Sequence, residues 1–272
     1  LRHFGEPLVA NTFDFGLRSP RPQHADLLDW LAVELMEHRW SMKHIHRLIV
    51  TSRTWQLRSS ADSLLTAANA KIDPDNRLYW RANVRRLDAE VIRDSVLHVA
   101  ESLDLSQGGA DIDYAKGETT PRRSIYFRHA YEKQMTMLVL FDAAGPNECY
   151  RRSESIIPQQ ALTLANSSLS LSESRKLAQS LWTTVKQDAE PEPRFIQLAF
   201  KTVLSRTPTD SETTACRDFL KLQTSILSSP GLLTEFGGKT VAAIEASGDP
   251  HLRAKENLIH VLMNHNDFVT VR

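Results

Sequence analysis

The residues of this chain best equipped for chemistry are arginines set among carboxylates. Arg85-Arg86, Arg122-Arg123 and Arg151-Arg152 all fall between positions 85 and 152 of the 272 residues, with Arg93 and Arg128 nearby. A guanidinium presents planar, forked donors that match a carboxylate, sulfate or phosphate. Asp88, Glu90, Asp94, Asp142 and Glu148 lie beside them in sequence. Paired internally, Arg86, Arg93, Arg122, Arg123, Arg128, Arg151 and Arg152 would form a structural network that replaces the regular hydrogen bonding an irregular segment lacks. Open to solvent, the same arginines would hold an anion or a glycan. A third use is catalysis, with an acid/base pair drawn from Asp88, Glu90, Asp94 and Asp142. Glycoside hydrolysis needs two carboxyl groups about 5–10 Å apart across the bond. The network is the expectation, because ion pairs cluster charges without any chemistry.

Other chemistries lack their motifs. Covalent haem needs C-x-x-C-H, which neither Cys149 nor Cys216 supplies. Gly108-Gly109 and Gly237-Gly238 lack the third glycine and the strand–helix context of a phosphate-binding loop, and no G-x-S-x-G elbow occurs. His44 and His46 are two apart on a helix, so they point to nearly opposite sides and cannot share an ion. Glu34/His38 and Glu256/His260 share helix faces, but a di-iron site prefers Glu-x-x-His. Hence no metal and no cofactor are expected in this stretch. The two cysteines permit one disulfide at most, and buried free thiols are the expected state. Most of Trp30, Trp40, Trp55, Trp80 and Trp182 are expected to pack against helices; Trp40 and Trp55 flank the second helix, where they would alternatively make a sugar-stacking platform.

The elements that must position these groups are helices. After a loop punctuated by Gly5, Pro7, Gly16, Pro20 and Pro22, the spacing of Leu27, Leu28, Leu31 and Leu35 predicts a helix. Ser41 then caps a second one carrying Met42, Ile45, Leu48 and Ile49. Asp73-Pro74-Asp75-Asn76 reads as a turn cluster. Arg86, Asp88, Glu90, Arg93 and Asp94 are placed on one helix whose apolar stripe is Ile92, Val96, Val99 and Leu103, with the charged residues off the stripe. In the irregular part, 123–128 is β-prone, and the apolar run Met135–Phe141 suits buried helix or strand equally. Pro158 opens the helical last third, in which Thr209-Asp210-Ser211-Glu212 has capping-box spacing. The fold class is therefore mainly α: an irregular multi-helix bundle with one or two short strands in the middle segment. We expect a single domain over 1–272, with sub-parts 1–105 (helical), 106–157 (irregular) and 158–272 (helical).

Lys+Arg and Asp+Glu balance at 33 each, so no global field draws the chain to nucleic acid or anionic lipid. No apolar run approaches the roughly 20 residues of a membrane span. Leu1-Arg2-His3-Phe4-Gly5 shows neither an initiator Met nor a signal-peptide pattern; a piece cut from a larger protein is expected.

Several runs, taken in order, carry a resemblance. They are Leu8-Val9 to Phe15-Gly16, His24 to Ala32, Arg47 to Trp55, Arg86-Leu87-Asp88-Ala89-Glu90 with Arg93-Asp94, Arg151, Pro158 to Leu162 with Asn166, and Leu262 to Phe268. Together they resemble the uncharacterised planctomycete-specific C-terminal domain of large secreted proteins, in which a cytochrome c-like domain and a second uncharacterised domain come first. Trp55 departs from the family's usual Tyr, and His265 and Asp267 from its Ser and Glu. The resemblance implies an exported bacterial module, periplasmic or secreted, whose partners are the upstream domains of its own polypeptide. Use of polysaccharide is a further implication. It carries over no catalytic residue.

Overall fold

The computed structural model describes residues 1–14, 16–60, 64–147, 152–229, 231, 233 and 242–271, with the backbone alone at 64 and 65. The chain is mainly helical, as its periodicity requires. It divides into two compact units, one comprising 1–85 with 270–272 and the other 86–269.

The first unit holds α1 (Ala25–Glu37), α2 (Met42–Thr51) and α3 (Leu64–Ile72). The reversal between α1 and α2 runs through Arg39 and Trp40, both at positive φ (56° and 61°). Such a conformation costs a non-glycine residue about 1–2 kcal/mol. It is closed by Trp40 N–H donating to Leu35 O at 2.8 Å, and Ser41 accepts the N–H of His44 to cap α2. Neither α1 nor α2 buries a residue fully. Polar side chains order the rest. The buried Asp73 carboxylate accepts the N–H groups of Arg77 and Leu78, and buried Asn76 ties Arg81 to Asn83. The turn cluster is a scaffold in which side chains do the work of backbone pairing.

The second unit holds α4 (Ala89–Val99), α5 (Thr136–Leu140), α6 (Pro158–Asn166), α7 (Ser168–Val185), α8 (Pro191–Leu204), α9 (Asp210–Leu227), α10 (Pro250–Met263) and α11 (Asn266–Val269). Its core joins Ile92, Val96 and Leu97 of α4 to Leu177 and Ala178 of α7, Phe195, Ile196 and Phe200 of α8, and Leu258, Ile259 and Met263 of α10. α10 packs on α7 and α9, and α4 on α5 and α7. Prolines open α6, α8 and α10, where the missing N–H costs nothing. α9 begins with the full capping box of Thr209 and Glu212.

Three expectations need correction. Arg86 is not on the α4 helix: it lies in β1 (Arg85–Arg86), which pairs with β2 (Thr270–Val271), and Asp88 is the extended residue before the first turn. Arg93 does join the buried face, with Ala89, Ile92, Val96 and Leu97. The strand expected within 123–128 is a 3-10 turn, Ser124–Tyr126, flanked by isolated bridges at Arg122 and Phe127. The N–H of Ser124 goes to the Asp94 carboxylate at 2.8 Å, so a side chain takes the donor a ladder would have used. The run after Met135 resolves as helix α5.

Candidate functional site

The arginines and carboxylates of the second unit meet around α4. Arg93 is fully buried, and its position follows from i+3/i+4 spacing with Ala89, Ile92, Val96 and Leu97. Its guanidinium reaches past the helix into the segment 117–124. Nε and Nη2 donate to Gly117 O at 2.9 and 2.8 Å, Nη2 to Thr120 O at 2.6 Å, and Nη1 to Arg122 O and Ser124 Oγ at 3.0 and 3.2 Å. The Phe127 ring lies 4.9 Å beneath it, within cation–π range. Desolvation in this seat lowers the Arg93 pKa to about 10, with Asp94 opposing, so the group stays charged at neutral pH. Gly117 belongs here for space rather than torsion: an added Cβ would come within 2.4 Å of Met135 Sδ.

Asp94 accepts the N–H and O–H of Ser124 at 2.8 and 2.6 Å, and Arg123 Nε stands 3.9 Å from it. Asp142 ends α5 in a left-handed conformation, φ 59°. It takes the N–H and O–H of Ser155 at 2.8 and 2.9 Å and a guanidinium N–H of Arg86, which also bonds Ser155 O. Gln160 completes this knot through Leu140 O and Ser155 O. Burial pushes the Asp142 carboxyl up, but the Arg86 and Ser155 donors together hold it below the ordinary carboxylate range. Glu90 is gripped by both terminal nitrogens of Arg152, at 2.9 and 3.2 Å. Arg122 turns away to Ser106 O and Gly108 O, over the Tyr126 ring, and Arg128 pairs with Asp111 at the surface. Asp88 supplies the carbonyl that starts α4. Arg151, Glu148 and Cys149 lie outside the described residues, as do Gly237 and Gly238.

Beside Glu90 opens a cleft of about 150 Å³, walled by Phe127, Arg128, His129, Gln134 and Met135. Glu90 is the one carboxylate among its described walls. Sites that engulf a drug-sized ligand run to about 300–1,000 Å³. The arrangement can bind and orient backbone, and among the described walls of this cleft no second carboxylate stands opposite Glu90.

The first unit contains a constellation that spacing missed. Glu34 and His38, four apart at the end of α1, meet His44 from the first turn of α2. Glu34 Oε2 lies 3.0 Å from His44 Nε2 and 3.3 Å from His38 Nδ1, and the two imidazoles stack 3.6 Å apart at 9°. His46 points away from His44 and shares a hydrogen bond with His3. The other helical pair separates: Glu256 accepts the Ser247 N–H and His260 bonds Leu164 O. Helical spacing gives Glu34 and His38 one face of α1, and the signal for His44 is the short reversal that makes α1 and α2 neighbours. The tryptophans also depart from expectation, since Trp30, Trp40 and Trp55 are exposed, Trp40 by 69%. Two short helices with no fully buried residue cannot enclose rings of that size.

Compared with known proteins, residues 1–220 match the family described as Protein of unknown function (DUF1553). No curated protein matches the chain. No solved structure matches it either.

Proposed function

We propose that this chain, which belongs to the DUF1553 family of unknown function, is a structural module that docks onto neighbouring domains of a larger exported protein. The observation that carries this reading is the employment of the carboxylates. Of the four candidates for acid/base work, Glu90, Asp94 and Asp142 each accept from arginine or serine donors that pin the irregular segment onto α4 and α5. A general base has to meet its substrate's proton within hydrogen-bond reach, and carboxylates held in this way serve the fold instead. The exposed Trp30, Val33, Met36, Trp40 and Met42 of the first unit supply apolar surface of the kind that interfaces cover. The sequence resemblance supports a planctomycete source, a periplasmic or secreted location, and upstream domains that include a cytochrome c-like one. Any haem would belong to those domains.

The test is to produce the upstream domains and this chain as separate polypeptides and measure their association by sedimentation and calorimetry. Micromolar or tighter binding, weakened by Trp40→Ala, is expected. No association at protein concentrations of about 100 μM would refute docking, since that corresponds to less than about 5.5 kcal/mol of binding. A second reading rests on Trp40 and Trp55, both exposed: aromatic faces of this kind stack on sugar rings, making polysaccharide the partner. Retention on a polysaccharide column that Trp40→Ala and Trp55→Ala each abolish would favour it.

A further inference from the structure

We propose that Glu34, His38 and His44 form a binding site for a divalent transition-metal ion of the zinc class. This goes beyond the docking reading and does not depend on it. The three donors come from two helices, brought together by the left-handed pair Arg39 and Trp40. Ser41 then caps α2 so that His44 turns back toward α1. Conformations of this kind persist where the surroundings over-determine them, and they gather at binding sites.

The distances suit an ion. A tetrahedral site with metal–ligand bonds near 2.0–2.1 Å sets neighbouring donor atoms about 3.3 Å apart. Glu34 Oε2 stands 3.0 and 3.3 Å from the two imidazole nitrogens, and all three donor atoms lie within 4.8 Å of one another. Two imidazoles with one carboxylate is a ligand set that leaves a coordination position for water or substrate. His38 Nδ1 also lies 3.0 Å from the Glu34 backbone carbonyl, which can only accept, so without an ion this nitrogen carries the ring proton. A cation at the convergence of the three donors displaces that proton and takes up the freed Nδ1 lone pair in coordination. Glu34 and His44 are the preformed edge. His38 has the most exposed side chain of the three, at 45%. It turns out of the stack so that its lone pair converges with theirs, which also gives the ion its entry path.

The test uses the full chain, stripped with a chelator and dialysed, then titrated with Zn²⁺ by calorimetry and with Co²⁺ by its visible absorption. One ion per chain is expected. Glu34→Gln, which keeps hydrogen bonding to both rings, and His44→Ala should each weaken binding by more than the ~10–100-fold that loss of an outer-shell partner costs. His46→Ala, on the opposite side of α2, should leave affinity unchanged. The absence of stoichiometric binding would overturn the proposal, as would binding that survives both Glu34→Gln and His44→Ala, or binding lost with His46→Ala. Circular dichroism of each variant separates ligand loss from unfolding, and His38→Gln provides a further variant if one of them fails to fold.

Discussion

Replacing Arg93 with Met should be among the most damaging single changes in the second unit. Met keeps most of the side chain's length and apolar stem, so α4 can still pack Ile92, Val96 and Leu97 into the core. What disappears is a fully buried guanidinium whose N–H groups satisfy the buried Gly117 O and Ser124 Oγ and the half-buried Thr120 O and Arg122 O. Each buried acceptor left unpaired costs about 1–3 kcal/mol. The four cannot all be charged at that rate, because segment 117–124 would lift away and hydrate, and that release limits the loss. A net destabilisation of about 3–5 kcal/mol is expected, the range seen when one member of a buried charged set is removed. At about 2–4 °C per kcal/mol for 150–250 residues, the melting temperature should fall by roughly 6–20 °C. Arg93→Lys keeps the charge but offers three donors without the planar fork, so it should recover only part of that loss. The assay is thermal and urea unfolding followed by circular dichroism, with limited trypsin digestion under native conditions. The released segment should be cut after Lys116, Arg122 or Arg123 in the Met variant and resist in the parent. A loss under about 1 kcal/mol with unchanged proteolysis would refute the view that Arg93 organises this segment.

Glu90→Ala should cost about 1–3 kcal/mol, between a surface pair and a buried one, because Glu90 and Arg152 keep 27% and 22% of their side-chain surface exposed; a double-mutant cycle with Arg152→Ala measures the coupling, and additivity would show the pair to be idle. Glu212 is held at about 2 by hydrogen bonds from Arg206, with help from Thr209, against the upward push of burial. Its folded pKa lies below its ordinary value of 4.5, so its contribution is present above that pH and lost as pH falls toward 2. Unfolding measured across this range should show a steeper acid loss in the parent than in Glu212→Gln, and identical profiles would contradict the assignment. Cys216 is a buried free thiol whose pKa burial raises, so a thiol reagent should label it slowly in the native chain and rapidly in urea. Gly117→Ala should destabilise by about 1–3 kcal/mol through the Met135 clash, and combining it with Met135→Ala should relieve part of the loss.

Periodicity alone makes this a helical chain. Leu177, Ala178, Leu181 and Val185, or Leu258, Ile259, Leu262 and Met263, can bury their apolar atoms together only at 3.6 residues per turn, so α7, α8, α10 and the α9 capping box are legible in the sequence. Local sequence also marks Ser41, Pro158 and the Asp73–Asn76 turn, because caps and turns are decided by atoms a few bonds apart. The partners of charged side chains are another matter. Whether Arg93 faces solvent or core depends on whether carbonyls from residues 24–29 positions downstream arrive to satisfy it, and no local pattern encodes that arrival. The β-prone run at 123–128 becomes a 3-10 turn for the same reason: Asp94, thirty residues away, takes the Ser124 N–H. His44 meets Glu34 and His38 only because two consecutive left-handed residues fold α2 back along α1. Helical spacing had correctly separated His44 from His46, but a period is a property of one element. A constellation is a property of how elements are turned toward each other, which the balance of buried area, strain and satisfied polar groups over the folded units decides.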